Sequence, residues 1–154
     1  MKQILLIAVC GLAFGQTPQP KIVVKLDPVQ AVAAKPGQTV HVTISAKVDA
    51  GFHVNADKQA DQYLIPLRLT WTRGTLEKPS IAYSKAANAK LAFSEKPVNI
   101  FTGDFSIDTQ FQVPKNAAVG ATTVAGKLRY QACNDRECLI PRTIDIVVPV
   151  EIAK

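Results

Sequence analysis

Sulfur is scarce in this chain. There is one methionine, Met1, and three cysteines: Cys10, Cys133 and Cys138. One leading methionine and two histidines give a copper carrier almost nothing to bind with. The histidines, His41 and His53, stand at no ligand spacing to the cysteines, so a zinc site would have only half its ligands. Neither histidine comes with an elbow-like nucleophile motif, which leaves a serine-type catalytic set without support. No metal and no cofactor is expected.

Aromatics are sparse at 6%, and no run of five basic residues exists despite a net charge of +6. The lysines are scattered singly, which reads as a solvated basic surface and not as a nucleic-acid interface. Helical periodicity is nearly absent. Only the alanine-rich stretch Ala82 to Ala92 is expected to form one short helical turn. Beyond the N-terminus no apolar run is long enough for a membrane span.

The N-terminus itself, MKQILLIAVCGLAFGQ, has one lysine, an apolar run from Ile4 to Phe14 and then small and polar residues. That run is too short to span a bilayer and has the form of a secretory signal peptide. Ala13 and Gly15 are the small residues a signal peptidase needs, so residues 1–15 are expected to be removed after Gly15 and residues 16–154 to form one domain, periplasmic or otherwise exported. Cys10 reads as a small hydrophobe within that leader. A lipid attached there is the alternative, against which bulky Val9 stands immediately upstream. With Cys10 gone, Cys133 and Cys138 are an even set in an oxidising compartment, free to pair with each other.

Strict alternation fills the rest. Val40, Val42, Ile44, Ala46 and Val48 occupy every second position. Ile65, Leu67, Leu69 and Trp71 do the same, as do Phe105, Ile107, Phe111 and Val113, then Val124, Leu128 and Tyr130, and finally Ile144 to Ile152. A period of two means strands with one apolar face. Lys21 to Leu26 reads as a weaker first strand, and Pro149 puts the last strand at an edge or on a bulge. KPGQ at 35–38 and DAG at 49–51 are turn signals. Several such strands need a second sheet to cover them. The expected fold is all-β, an immunoglobulin-like β-sandwich with no internal repeat and no second domain. A sandwich alone implies no function.

Function must come from YQACNDRECLIP, Tyr130 to Pro141. A Cys133–Cys138 bond would close a ring of about six residues and stabilise by about 2 kcal/mol in the chain-entropy model. That is weak for a staple, and short surface disulfides tend to be accessible and easily reduced, which favours exchange chemistry. Asp135 and Glu137 flank Arg136 between the cysteines, so local charge disfavours the thiolate. Such a pair is expected to react when a docking partner changes its surroundings.

The stretch YQACNDRECLIPRTIDIVVPV resembles the end of the N-terminal periplasmic domain of the DsbD thiol:disulfide interchange family: Tyr130, Gln131, Ala132, Cys133, Cys138 and Pro141 stand in the family's order. Upstream, Gly51, Phe52, His53, Val54 and Asn55, then Leu64, Ile65 and Pro66, are similar to its second motif. The resemblance implies an immunoglobulin-like domain that passes reducing equivalents from a thioredoxin-like donor to disulfides in periplasmic partners, as part of a protein-disulfide reductase system. By it Cys138 is the exchanging thiol and Cys133 its resolving partner. A cap loop within about Ser94 to Thr102 is expected to shield the pair, with Phe93, Ile100 and Phe101 competing for its tip. His53, Asn55, Phe101, Tyr130, Asp135 and Glu137 are the expected surroundings. For Phe93, Ile100 and Phe101 core packing is the competing reading; for His53 and Asn55 it is turn and surface chemistry. The chain ends at Lys154, before the family's membrane and thioredoxin-like domains, and so is expected either to be reduced by another protein or to have left the relay as a binding module. The alternative is a non-catalytic binding or assembly module in which Cys133–Cys138 is a permanent structural disulfide.

Overall fold

The computed structural model describes residues 21–59, 62–91 and 94–154. The expected leader, its cleavage point, Cys10 and Phe93 lie outside these residues.

Two four-stranded sheets face each other. The first runs β1 (Val24–Leu26), β3 (Thr39–Val48), β9 (Asp104–Gln112), β6 (Glu77–Tyr83). The second runs β2 (Val32–Ala34), β12 (Arg142–Ile152), β10 (Gly120–Tyr130), β5 (Arg68–Trp71). All pairings are antiparallel except β2 on β12. The period-two pattern explains the layering. Val40, Val42, Ile44, Ala46 and Val48 are all buried, while His41 and Thr43 between them face solvent. Facing them from the other sheet are Val124, Leu128, Tyr130, Ile146, Val148, Val150 and Ile152. This is one continuous apolar core, the dominant favourable term in folding.

Two expectations change. Ala82 to Ala92 forms no helical turn among its described residues. It contributes the end of β6 and all of β7 (Ala87–Ala89). Alanine favours a helix only where packing leaves the choice to local propensity; here β9 and the strand preceding it offer open backbone edges that the segment completes. The last strand is interior in sheet order, between β10 and β2, and its register with β10 runs without a bulge across Thr123↔Pro149. Pro149 fits because β2 covers β12 only from Val150 to Ile152, so its missing N–H falls on an uncovered stretch.

Two turns set the ends. At 35–38, Gln38 N–H donates to Lys35 O at 3.1 Å and Gly37 takes φ 83°, the left-handed third position after Pro36 that a type II turn requires. At 49–52, Phe52 N–H donates to Asp49 O at 3.2 Å around Gly51 at φ 79°. That turn delivers the chain into β4 (His53–Asn55).

Trp71 anchors the opposite region. Its indole N–H donates to Thr109 Oγ1 at 3.1 Å, and its ring meets Phe111 edge-on at 5.1 Å. The ring lies against Gly126, its register partner; a Cβ at 126 would stand 2.6 Å from Trp71 Cε3 and 3.1 Å from Thr70 O. The indole is held on two sides and cannot retreat cheaply. Gly126→Ala is therefore expected to cost roughly 1–3 kcal/mol by overpacking, read as a lower urea midpoint at unchanged slope. A midpoint equal to wild type would mean the indole yields freely.

Candidate functional site

A third, smaller sheet carries the cysteines. Its order is β11 (Ala132–Cys133), β4, β8 (Val98–Phe101), β7. β11 continues from β10 after Gln131, so the long core strand aims the first cysteine. The chain then turns back. Asn134 makes the turn: its Oδ1 accepts from the N–H groups of Arg136 at 2.8 Å and Glu137 at 2.9 Å, and its own N–H donates to Glu137 O at 2.9 Å. Asparagine suits this position because its side chain can satisfy backbone donors two and three residues on. Leu139 N–H donates to Ala132 O at 2.8 Å, and Gln131 Nε2 donates to Leu139 O at 3.2 Å.

These bonds flank Cys133 and Cys138 and set them directly opposite, with Cα atoms 3.9 Å apart. They are joined by a disulfide. The two ends differ. Cys133 is fully buried and Cys138 is exposed. The bond thus joins a buried residue to an exposed one.

Cys133 stands opposite His53, and Ala132 opposite Val54, on β4. All three β4 residues are buried. Burial pushes the His53 imidazole below its ordinary value, since the charged form loses hydration; the Asp135 carboxylate pulls weakly the other way. Asn55 holds the return into β5: its Nδ2 donates to Ile65 O at 3.1 Å and its backbone carbonyl accepts from Leu67 N–H at 3.0 Å. Asp135 and Glu137 are exposed on the hairpin.

Two expected surroundings lie deeper. Tyr130 is a core residue whose hydroxyl is raised by burial, with Arg142 lowering it in part. Phe101 pairs with Val54 and stacks on Phe105 at 4.8 Å, inside the core. Its burial agrees with the core-packing reading, and Ile100 is buried as well. The second half of the expected cap segment is β8 itself. The apolar side chains there fill the small sheet, which sequence alone could not separate from a loop tip.

Two shallow grooves border the hairpin. One, of about 460 Å³, is lined by Lys47, Asp49, Phe52, His53, Ile100 and Asp135 among others. The other, of about 360 Å³, begins one residue past Cys138 and is lined by Leu139, Ile140, Pro141, Arg142 and Lys21. Ile140 is 83% exposed, a large apolar side chain held in water beside the exposed cysteine. The Leu-Ile-Pro run before the last strand was the signal for this patch; its exposure was not readable. Among the described residues no group of three or more His, Cys, Asp or Glu could hold a metal ion, and no helix is long and apolar enough to cross a membrane.

Comparison with known proteins supports the architecture. No protein-family model matches the sequence, and no curated protein does. The N-terminal periplasmic domain of ScsB from Proteus mirabilis superposes with a TM-score of 0.55 at 7% identity, over 84% of this chain and 44% of that one. This chain is an immunoglobulin-like β-sandwich. The reduced N-terminal domain of DsbD from Neisseria meningitidis matches at 16% identity over 82% of this chain and 86% of that one, TM-score 0.48. A PapD-like domain of human CEP192 matches at 13% over 96% and 97%, TM-score 0.46. Identities this low speak to fold alone; the chemistry has to be argued from the hairpin.

Proposed function

We propose that this protein is a periplasmic thiol–disulfide exchange domain, passing reducing equivalents from a thioredoxin-like donor to disulfides of partner proteins through Cys133 and Cys138. The observation that carries this reading is the unequal exposure of the two cysteines. Exchange needs one sulfur that a partner can reach and a second held ready beside it. In the reduced domain the Cys138 thiolate attacks a partner disulfide. A mixed disulfide forms and one partner sulfur leaves as thiolate. Cys133 then attacks Cys138 Sγ, the mixed disulfide breaks, and the partner departs with two electrons gained. The donor reverses these steps on the oxidised pair. The apolar groove at Leu139, Ile140 and Pro141 supports the reading by offering a docking surface beside Cys138. Residues 16–154 constitute the exported domain after cleavage following Gly15.

A second reading has its own observation. The hairpin is closed by backbone and Asn134 bonds on both sides of the disulfide, so the bond can serve as a permanent local staple in a binding or assembly module. The fold-level likeness, a β-sandwich domain carrying one disulfide, supports this reading better than it supports exchange.

The reduction potential separates the two. Glutathione titration with thiol alkylation is expected to place the pair between about −180 and −270 mV, among exchange proteins; a pair still oxidised below about −300 mV is a staple, and the exchange reading is then abandoned.

A further inference from the structure

Resting on the exchange reading, the register assigns a proton acceptor to the resolving step. Cys133 is buried, so its thiol lies away from the solvent that would otherwise take its proton. A buried thiol resists ionisation, and the thiolate is the nucleophile. Some group must accept that proton where it lies.

We propose that His53 is that group. In the β4–β11 pairing His53 is the residue directly opposite Cys133. Directly opposite residues of antiparallel strands project from the same face, with Cβ atoms about 4.5–5.5 Å apart. His53 is also buried, at 5% exposure, yet it lines the groove that opens past Asp135 to solvent. The imidazole therefore connects an enclosed sulfur to water.

The step balances. The Cys133 S–H bond breaks, the proton goes to the imidazole and the electron pair stays on sulfur. That sulfur attacks Cys138 Sγ. The Cys133–Cys138 bond forms, the bond from Cys138 to the partner breaks, and its electron pair leaves as the partner's thiolate. His53 returns the proton to the groove. The hairpin presents Asp135, which favours the charged imidazolium in transit. β3 presents Lys47, paired to Asp104 at 3.7 Å, and the following turn presents Asp49, paired to Lys25 at 2.8 Å. Ile100 and Thr102 line the β8 side and carry no charge. Burial keeps the resting imidazole neutral and so able to accept.

The test uses the mature domain, residues 16–154, whose cysteines are Cys133 and Cys138, reduced and mixed with the chromogenic disulfide dithiodipyridine in a stopped-flow instrument. The first phase reports attack by Cys138, and the second reports closure by Cys133. In the wild-type pair the second-phase rate should rise with pH through an inflection below about 6.5, then rise again in the thiol range near about 8.5. His53→Gln should lose the lower inflection and slow the second phase about a hundredfold at neutral pH, leaving the first phase unchanged. The two proteins should converge above the thiol range, where no base is needed. A wild-type second phase with the thiol inflection alone overturns the assignment without any variant, as does a Gln variant that keeps the lower inflection. A wild-type protein with no first phase fails earlier: exchange itself is then wrong, and the role of His53 falls with it.

Discussion

Cys133→Ala should leave the protein holding its partners covalently, while Cys138→Ala should hold none and exchange nothing. The difference follows from exposure. With Cys133 gone, Cys138 still attacks a partner disulfide from its open position, but no second thiol can release the product. With Cys138 gone, the remaining sulfur is the enclosed one. Each variant loses the same disulfide, and with it about 2 kcal/mol of stability, so a common loss of folding cannot produce opposite outcomes. The readout is a non-reducing gel of extracts from cells expressing each variant. Bands of higher mass that vanish with reductant are expected for Cys133→Ala alone. Equal trapping by the two variants would contradict the assignment of roles, and trapping by neither would favour the staple.

Phe111→Ala should be the most damaging single truncation in the core, at about 3–5 kcal/mol. Phe111 is 1% exposed and sits in β9, with β3 on one side and β6 on the other. It also carries the edge contact to Trp71. Removing it leaves a void that two hydrogen-bonded neighbouring strands cannot close by moving inward. Against a typical total of about 5–15 kcal/mol, that is a large share. Urea unfolding followed by Trp71 emission measures both effects, since the tryptophan is single and loses its aromatic neighbour. A loss below about 1 kcal/mol would mean the site collapses and the core is softer than its packing implies.

The alternation of apolar residues made the long strands readable. β3, β9, β10 and β12 each present one buried face, and a side-chain period of two survives whatever partner a strand finds. The short strands were not readable. β4, β8 and β11 run for two to four residues with nearly every side chain buried, so no alternation marks them. Such segments become strands only because other parts of the chain pair with them. The alanine-rich segment follows the same rule: its local preference loses to two open sheet edges.

The site divides along the same line. By itself the sequence determined the sandwich class and the spacing of Cys133 and Cys138, because these follow from local periodicity and from a motif within a few residues; a place for His53 and Asn55 near the pair came only as what the resemblance implied. Only the tertiary structure decided that Cys133 is enclosed and Cys138 open, that Phe101 belongs to the core, that Ile140 stands in water, and that His53 faces Cys133 across β4 and β11. Burial and register are pairings between distant stretches of chain. They are set by which surfaces the whole fold removes from water, and no short window of sequence contains that information.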